Sequence, residues 1–378
     1  MTSDAATLLR TEPAETLGRR AFRRDFWEFL VVGGGSLVLL PGLFLYRKQA
    51  GLDDAEAWVG WAAFQAAMII NNPHFAVTYL LFYRDAKERA FGRSVANAQR
   101  ARYWVAGLVV PLLLAAWVTS ALADHSARQM GFLIQLMFFL VGWHYVKQGF
   151  GVVTVLSLRR GFRFDQSERR ALLAHCFASW LYGRTNPHDP GRPAVVDDVL
   201  YTSLPHPHGL DTITRGAFAL SAAFLAFTLW RRFRHSHKRP PLVPLLGFLI
   251  TVWLWTAFSR LDPLFSYVIP ALHSLQYLYF VWLSRRNQAL AQSGPPAFRS
   301  VAGSVLALAA SAIALGWLLF RALPTALDGY LVLWDAIDPL GTTPYLAGIT
   351  AFVNIHHYAM DAVIWRREMP EARYLLDA

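Results

Sequence analysis

Five imidazoles interrupt long apolar runs of this chain: His74, His144, His273, His356 and His357. Ionisable groups are costly to bury in hydrocarbon, so each is a candidate functional residue by default. Each run also offers a polar companion one helical turn on, where residues three and four apart are neighbours. Thr78 follows His74, Lys147 and Gln148 follow His144, Gln276 follows His273, and Asp361 follows His357. Imidazole nitrogens with a carboxylate and no thiolate suit iron, zinc or copper. A neighbour that fixes an imidazole's tautomer is what a metal-ligating histidine needs. The five histidines are therefore the expected metal ligands, and Asn72, Gln148 and Gln276 the residues expected to support the cofactor. Lys147 and Asp361 are the expected catalytic groups, with Asp361 also able to ligate. Lys147 is expected to find a buried partner such as Asp361, because about 18 Å is far for a lysine stem to snorkel.

The elements that must position these groups are membrane helices. Apolar runs long enough to span recur about ten times. They cover Phe26–Tyr46, Ala57–Tyr83, Tyr103–Ala123, Met130–Ser157, Ala171–Tyr182, Thr212–Trp230, Pro240–Phe258, Leu264–Ser284, Ser300–Leu323 and Tyr345–Trp365. The fifth is short for a span. With all ten crossing, Arg84–Arg102, Leu158–Arg170, Arg231–Arg239, Arg285–Arg299 and both termini share one side, and every one is rich in Arg or Lys. The positive-inside rule makes that side cytosolic. Gly33-Gly34-Gly35 reads as close helix packing, and Pro73, Pro111, Pro244 and Pro270 predict kinks. One domain is expected over residues 26–366, with external loops 183–211 and 324–344. A polar basic N-terminus (1–25) and a tail (367–378) lie on the cytosolic side.

Counting to the next cytosolic arginine gives depth. His74 lies ten residues before Arg84, His144 fifteen before Arg159, His273 twelve before Arg285 and His356 ten before Arg366. At 1.5 Å per residue all four lie roughly 14 to 23 Å from the cytosolic edge, near the midplane of a core about 30 Å thick. A lone histidine in a membrane helix is ordinarily a helix–helix hydrogen bond. Independent packing histidines have no reason to share a depth.

Composition agrees with this placement. Of 378 residues, 55% are hydrophobic and only 16% charged, with a mean hydropathy of +0.30. The net charge of +11 is gathered between the apolar runs. That pattern sets membrane orientation and excludes a nucleic-acid footprint. The single cysteine, Cys176, excludes disulfides within the chain and cysteine-held iron–sulfur clusters.

The reading that follows is an all-α, polytopic bundle of about ten transmembrane helices in a bacterial-type inner membrane. It is expected to be a metal-dependent oxidoreductase, with non-haem iron (one or two ions) using oxygen on a lipid or isoprenoid-like apolar substrate, aided by an electron-donor protein. Zinc, copper or haem are the other cofactors this donor set admits. A bis-histidine haem electron-transfer protein and a proton-coupled transporter with a His/Lys/Asp relay are the alternatives. The stretch His357-Tyr358-Ala359-Met360-Asp361-Ala362-Val363-Ile364 resembles the H-x-A-[LM]-D-A-x-I pattern of the bacterial membrane β-carotene dioxygenases of the Brp/Blh type. The resemblance covers about eight residues and implies a polytopic helical protein whose embedded histidines hold iron and cleave a polyene. The remaining histidine contexts, Asn71-Asn72-Pro73-His74 and Trp143-His144-Tyr145, do not match that family's motifs.

Overall fold

The computed structural model describes residues 14–185, 193–196, 199–202, 206–291, 301–332 and 338–376. Parts of both expected external loops, 186–192 and 333–337 among them, lie outside the described residues, as do 1–13 and the last two residues of the tail. The regular structure of the described residues is helical apart from one antiparallel hairpin, β1 (Pro193–Val196) with β2 (Val199–Thr202), in which Pro193 faces Thr202 and Val196 faces Val199.

The N-terminal helices α1 (Ala14–Phe29) and α2 (Ser36–Ala50) are joined by a π-helical turn over Leu30–Gly34 and bent by 48°. Gly33 makes the bend, at φ 134°, a value that disfavours any side chain. The triple glycine is therefore a bend as well as a packing contact. Next come α3 (Leu52–Ala67), α4 (Asn71–Tyr83), α5 (Ala86–Phe91), α6 (Asn97–Trp104) and α7 (Val110–Ala123). Pro73 falls in the first turn of α4, where its missing N–H costs nothing, so it starts a helix instead of kinking one.

The 33-residue α8 (Ala127–Arg159) begins where Ser126 Oγ accepts the Gln129 amide. A capping box starts α9 (Gln166–Arg184): Asp165 accepts the Glu168 amide and Glu168 accepts the Asp165 amide. The polar first turns of α9 hid its length, which is 19 residues rather than about 12. The remainder is α10 (Leu210–Ser236), α11 (Leu242–Leu249), α12 (Leu264–Ala291), α13 (Val301–Trp317), α14 (Leu323–Leu331), α15 (Pro344–Ile364) and α16 (Pro370–Arg373). The expected loop from 324 is helical in its first third, as α14. Asp328 of α14 accepts the Tyr345 and Leu346 amides at 2.8 and 3.1 Å, which caps α15 from outside it.

Among the described residues five helical stretches are long and apolar enough to cross a membrane by themselves: Asn97–Ala123, Ala127–Arg159, Leu210–Ser236, Leu264–Ala291 and Val301–Leu331. The bent pair α1–α2 makes a sixth if it counts as one span. These mark a multi-pass membrane protein, but ten independent spans are not what the described helices supply. The expected second span is broken at Met68–Ile70 into α3 and α4. α15 is long enough, but Asn354, His356, His357 and Asp361 dilute its apolar content, because it faces other helices and not lipid. The outer surface is apolar, with Leu220 74% and Leu306 67% exposed, as expected of residues meeting hydrocarbon chains. The polar residues lie inside, where α4, α8, α12 and α15 pack together.

Candidate metal centre

Each of these four helices contributes one histidine to two overlapping groups of possible ligands that share His144 of α8: His74 from α4 and His273 from α12 complete one, His357 from α15 and Asp361 the other. All four are buried, His357 at 0% and His74 at 1% exposure. His144 Nε2 lies 3.1 Å from His273 Nε2 and 3.3 Å from His357 Nε2. His74 closes the group, its ligating atom within 4.8 Å of those of His144 and His273. Two nitrogens bound to one ion at 2.0–2.1 Å stand about 2.9–3.4 Å apart in octahedral or tetrahedral geometry. The observed separations fall in that interval. One proton on His144 Nε2 can serve only one of its two imidazole neighbours, so a cation at their centre satisfies what hydrogen bonding leaves open.

The surrounding side chains orient the rings. Ser274 Oγ donates to Asn71 Oδ1 at 2.8 Å, which leaves it an acceptor for His74 Nδ1–H at 3.1 Å. That fixes the tautomer of His74 and turns the lone pair of Nε2 inward, where it is buried without a hydrogen-bond partner among the described residues. Asp361 Oδ2 sits 3.5 Å from His357 Nε2 and 3.8 Å from His144 Nε2. Its other oxygen accepts from Tyr277 OH at 2.7 Å, and Tyr277 OH in turn meets Thr78 Oγ1 at 2.7 Å and accepts from Trp365 Nε1 at 3.2 Å. The carboxylate is thus held with one oxygen facing the imidazoles.

The other sequence-predicted residues fall elsewhere. His356 is not in the ring: Tyr79 OH meets its Nδ1 at 2.9 Å, and its Nε2 donates to the Ala106 carbonyl at 2.9 Å. Consecutive helical residues point about 100° apart, so His356 and His357 cannot share a target. Lys147 does not meet Asp361. It is exposed on the outer face of α8, with Nζ 5.6 Å from the ring centroids of both Trp143 and Phe150, a cation–π seat that removes the need for a buried counter-ion. Gln148 donates to the His273 carbonyl at 3.1 Å and to Gln276 Oε1 at 2.7 Å, and Gln276 donates to the Val32 carbonyl at 2.6 Å. These two glutamines brace the backbone beside the histidines and touch no imidazole nitrogen. Asn72 is buried at the start of α4, its backbone against Gly316 of α13.

Sequence reasoning singled out neither Ser274 nor Tyr277. The signal for Tyr277 was its position four residues after His273, the same spacing that singled out Asp361. Ser274 carried no such signal, because its contact runs between helices. Comparison with protein-family models, curated proteins and solved structures returns no match for this chain.

Proposed function

We propose that this chain is a multi-pass membrane metalloenzyme that uses oxygen to oxidise an apolar substrate of lipid or isoprenoid type, with one non-haem iron held by His74, His144, His273 and His357. The observation that carries this reading is the meeting of imidazole Nε2 atoms from separate helices at 3.1 and 3.3 Å. Iron is favoured over zinc because the surrounding walls are aromatic and aliphatic, a medium that oxygen and lipids enter more readily than water. Bound there, the ion would supply oxygen activation. The protein's own groups divide the remaining tasks. Ser274 holds the His74 tautomer, Asp361 offers a carboxylate oxygen beside His357 and His144, and Tyr277 keeps that carboxylate in place. The stretch that resembles the Brp/Blh-type dioxygenases supplies both His357 and Asp361, which supports an oxidative role.

Two observations weigh against the alternatives. A bis-histidine haem needs imidazoles on opposite faces of a macrocycle, and direct contact between His144 and His273 leaves no room for one. A His/Lys/Asp relay loses its cation when Lys147 faces outward. In the reading adopted here the arginine-rich ends and both termini face the cytosol of a bacterial-type inner membrane, where an electron-donor protein would dock.

Elemental analysis of the purified protein after growth with adequate iron and zinc tests the proposal. The expected result is about one iron per chain in the wild type and in His356→Ala, with loss of most of it in His144→Ala and His357→Ala. A metal-free wild type, or full occupancy in both of the latter variants, would overturn it.

A further inference from the structure

A cavity of about 460 Å³ opens from the histidines in one direction only. Its lining on α8 runs from Met137 to Tyr145, on α12 from Ser266 to His273 and on α15 from Thr350 to Tyr358; nothing beyond those histidine-level positions contributes. These three helices run towards the arginine-rich end, at Arg159, Arg285 and Arg366. On that side the Gln148–Gln276 bond and the Asp361–Tyr277–Thr78 chain close the floor. The cavity therefore leads away from the arginines, between aromatic walls that include Phe138, Trp180 and Trp255, to a rim formed by Arg184, Ser259 and Ser266.

Among the described residues Arg184 is the only cationic side chain in the lining. It ends α9, is half-buried, and makes no ion pair or side-chain hydrogen bond among the described residues. A guanidinium beside an apolar shaft, with no carboxylate partner among the described residues, is a receptor for a ligand's anion. From the rim at Ser266 to His273 is seven residues of helix, roughly 10 Å. The volume is within the range of about 300–1,000 Å³ of compact ligand sites.

We propose that the substrate is a single-chain amphiphile with an anionic head, carboxylate or phosphate, seated with its apolar end at the histidines and its head at Arg184. It is admitted from the arginine-poor end of the bundle. This rests on the metalloenzyme reading for the chemistry, but not for the binding.

The test uses the full chain in phosphatidylcholine nanodiscs, with tritiated octanoate, octyl phosphate and octanol as probes, whose eight-carbon chains match the depth of the shaft. Saturable octanoate or octyl phosphate binding is expected, and the pair distinguishes a carboxylate from a phosphate head. Arg184→Gln should weaken the anionic probe about tenfold and leave octanol nearly unchanged. Val141→Trp, which fills the shaft, should abolish binding of all three while thermal melting shows the chain still folded. Access is read separately with Ser266→Cys. Because Cys176 is fully buried, a membrane-impermeant maleimide should modify only the new thiol, from the side opposite the C-terminus, and more slowly with octanoate present. Unchanged anionic-probe affinity in Arg184→Gln, or labelling from the C-terminal side, would overturn the inference. Iron content of the same samples separates the two ideas. Iron-free wild type with Arg184-dependent binding overturns the metal reading and supports the amphiphile site; iron-loaded protein without that dependence does the reverse.

Discussion

His356 and His357 are adjacent and both buried, yet they do different things. The first joins helices through Tyr79 and the Ala106 carbonyl; the second faces the imidazoles of His144 and His74. Removing either should have distinct consequences. His356→Ala leaves a half-buried tyrosine hydroxyl and a carbonyl unsatisfied, so it should destabilise the fold by about 1–3 kcal/mol with metal retained. A calorimetric melt combined with iron analysis would show this, and metal loss in that variant would argue against it. Ser274→Ala tests the orientation of His74: losing the hydroxyl frees the tautomer and should weaken metal binding about 10- to 100-fold, with little change in melting temperature. Competition with a chelator measures it. An unchanged affinity would mean that Ser274 does not position the ligand.

At the scale of the helix, the site depends on how closely α4 approaches α13. A Cβ at Gly316 would lie 2.8–3.0 Å from the Asn72 backbone and Pro73 nitrogen, atoms that cannot swing aside. Gly316→Ala should push the first turn of α4, and His74 with it, at a cost of about 1–3 kcal/mol. Lower metal occupancy in a protein that still melts cooperatively is the expected outcome. The start of α9 tests local stability alone. The Glu168 amide, together with Ser167, holds the Asp165 carboxyl below its usual range. A depressed folded value means that its stabilisation is present above the ordinary aspartate pKa and is lost as pH falls through the lowered one. Asp165→Ala should cost about 1 kcal/mol at neutral pH. That deficit should vanish at strongly acidic pH, and a deficit that persists there would assign the effect to something other than the charged cap.

For the molecule as a whole, the C-terminal segment is part of the bundle. Arg89 and Arg84 donate to the buried Glu371 carboxylate at 2.7 and 3.1 Å. Ser284 donates to the Glu371 carbonyl, Asn287 to that of Tyr374 and Arg159 to that of Leu375. These bonds strap the arginine-rich ends of α8 and α12 together beneath the histidines. Glu371→Ala leaves the buried Arg89 guanidinium only the more distant Asp85 carboxylate, 3.7 Å away, and should destabilise by about 3 kcal/mol. Glu371→Gln, which keeps the shape and one acceptor, should lose less. Equal melting temperatures for the two variants would show that the charge does not matter there.

Residue order alone fixed the membrane setting, the helical class and the shared depth of the histidines. Each depends on composition or on axial rise, and both are one-dimensional quantities. The four histidines that meet were legible for that reason, and so was Asp361, one turn from His357. Only the tertiary structure decided azimuth and partner. It turned His356 to the α6–α7 side, seated Lys147 on aromatic rings outside, and brought Ser274 to His74 across helices. It also reduced ten apolar runs to five or six stretches able to cross by themselves. Hydropathy counts how apolar a segment is. Whether that segment meets lipid or other helices is settled by packing, and in this chain α4 and α15 are shielded by the other helices while α8 and α12 keep an outer face.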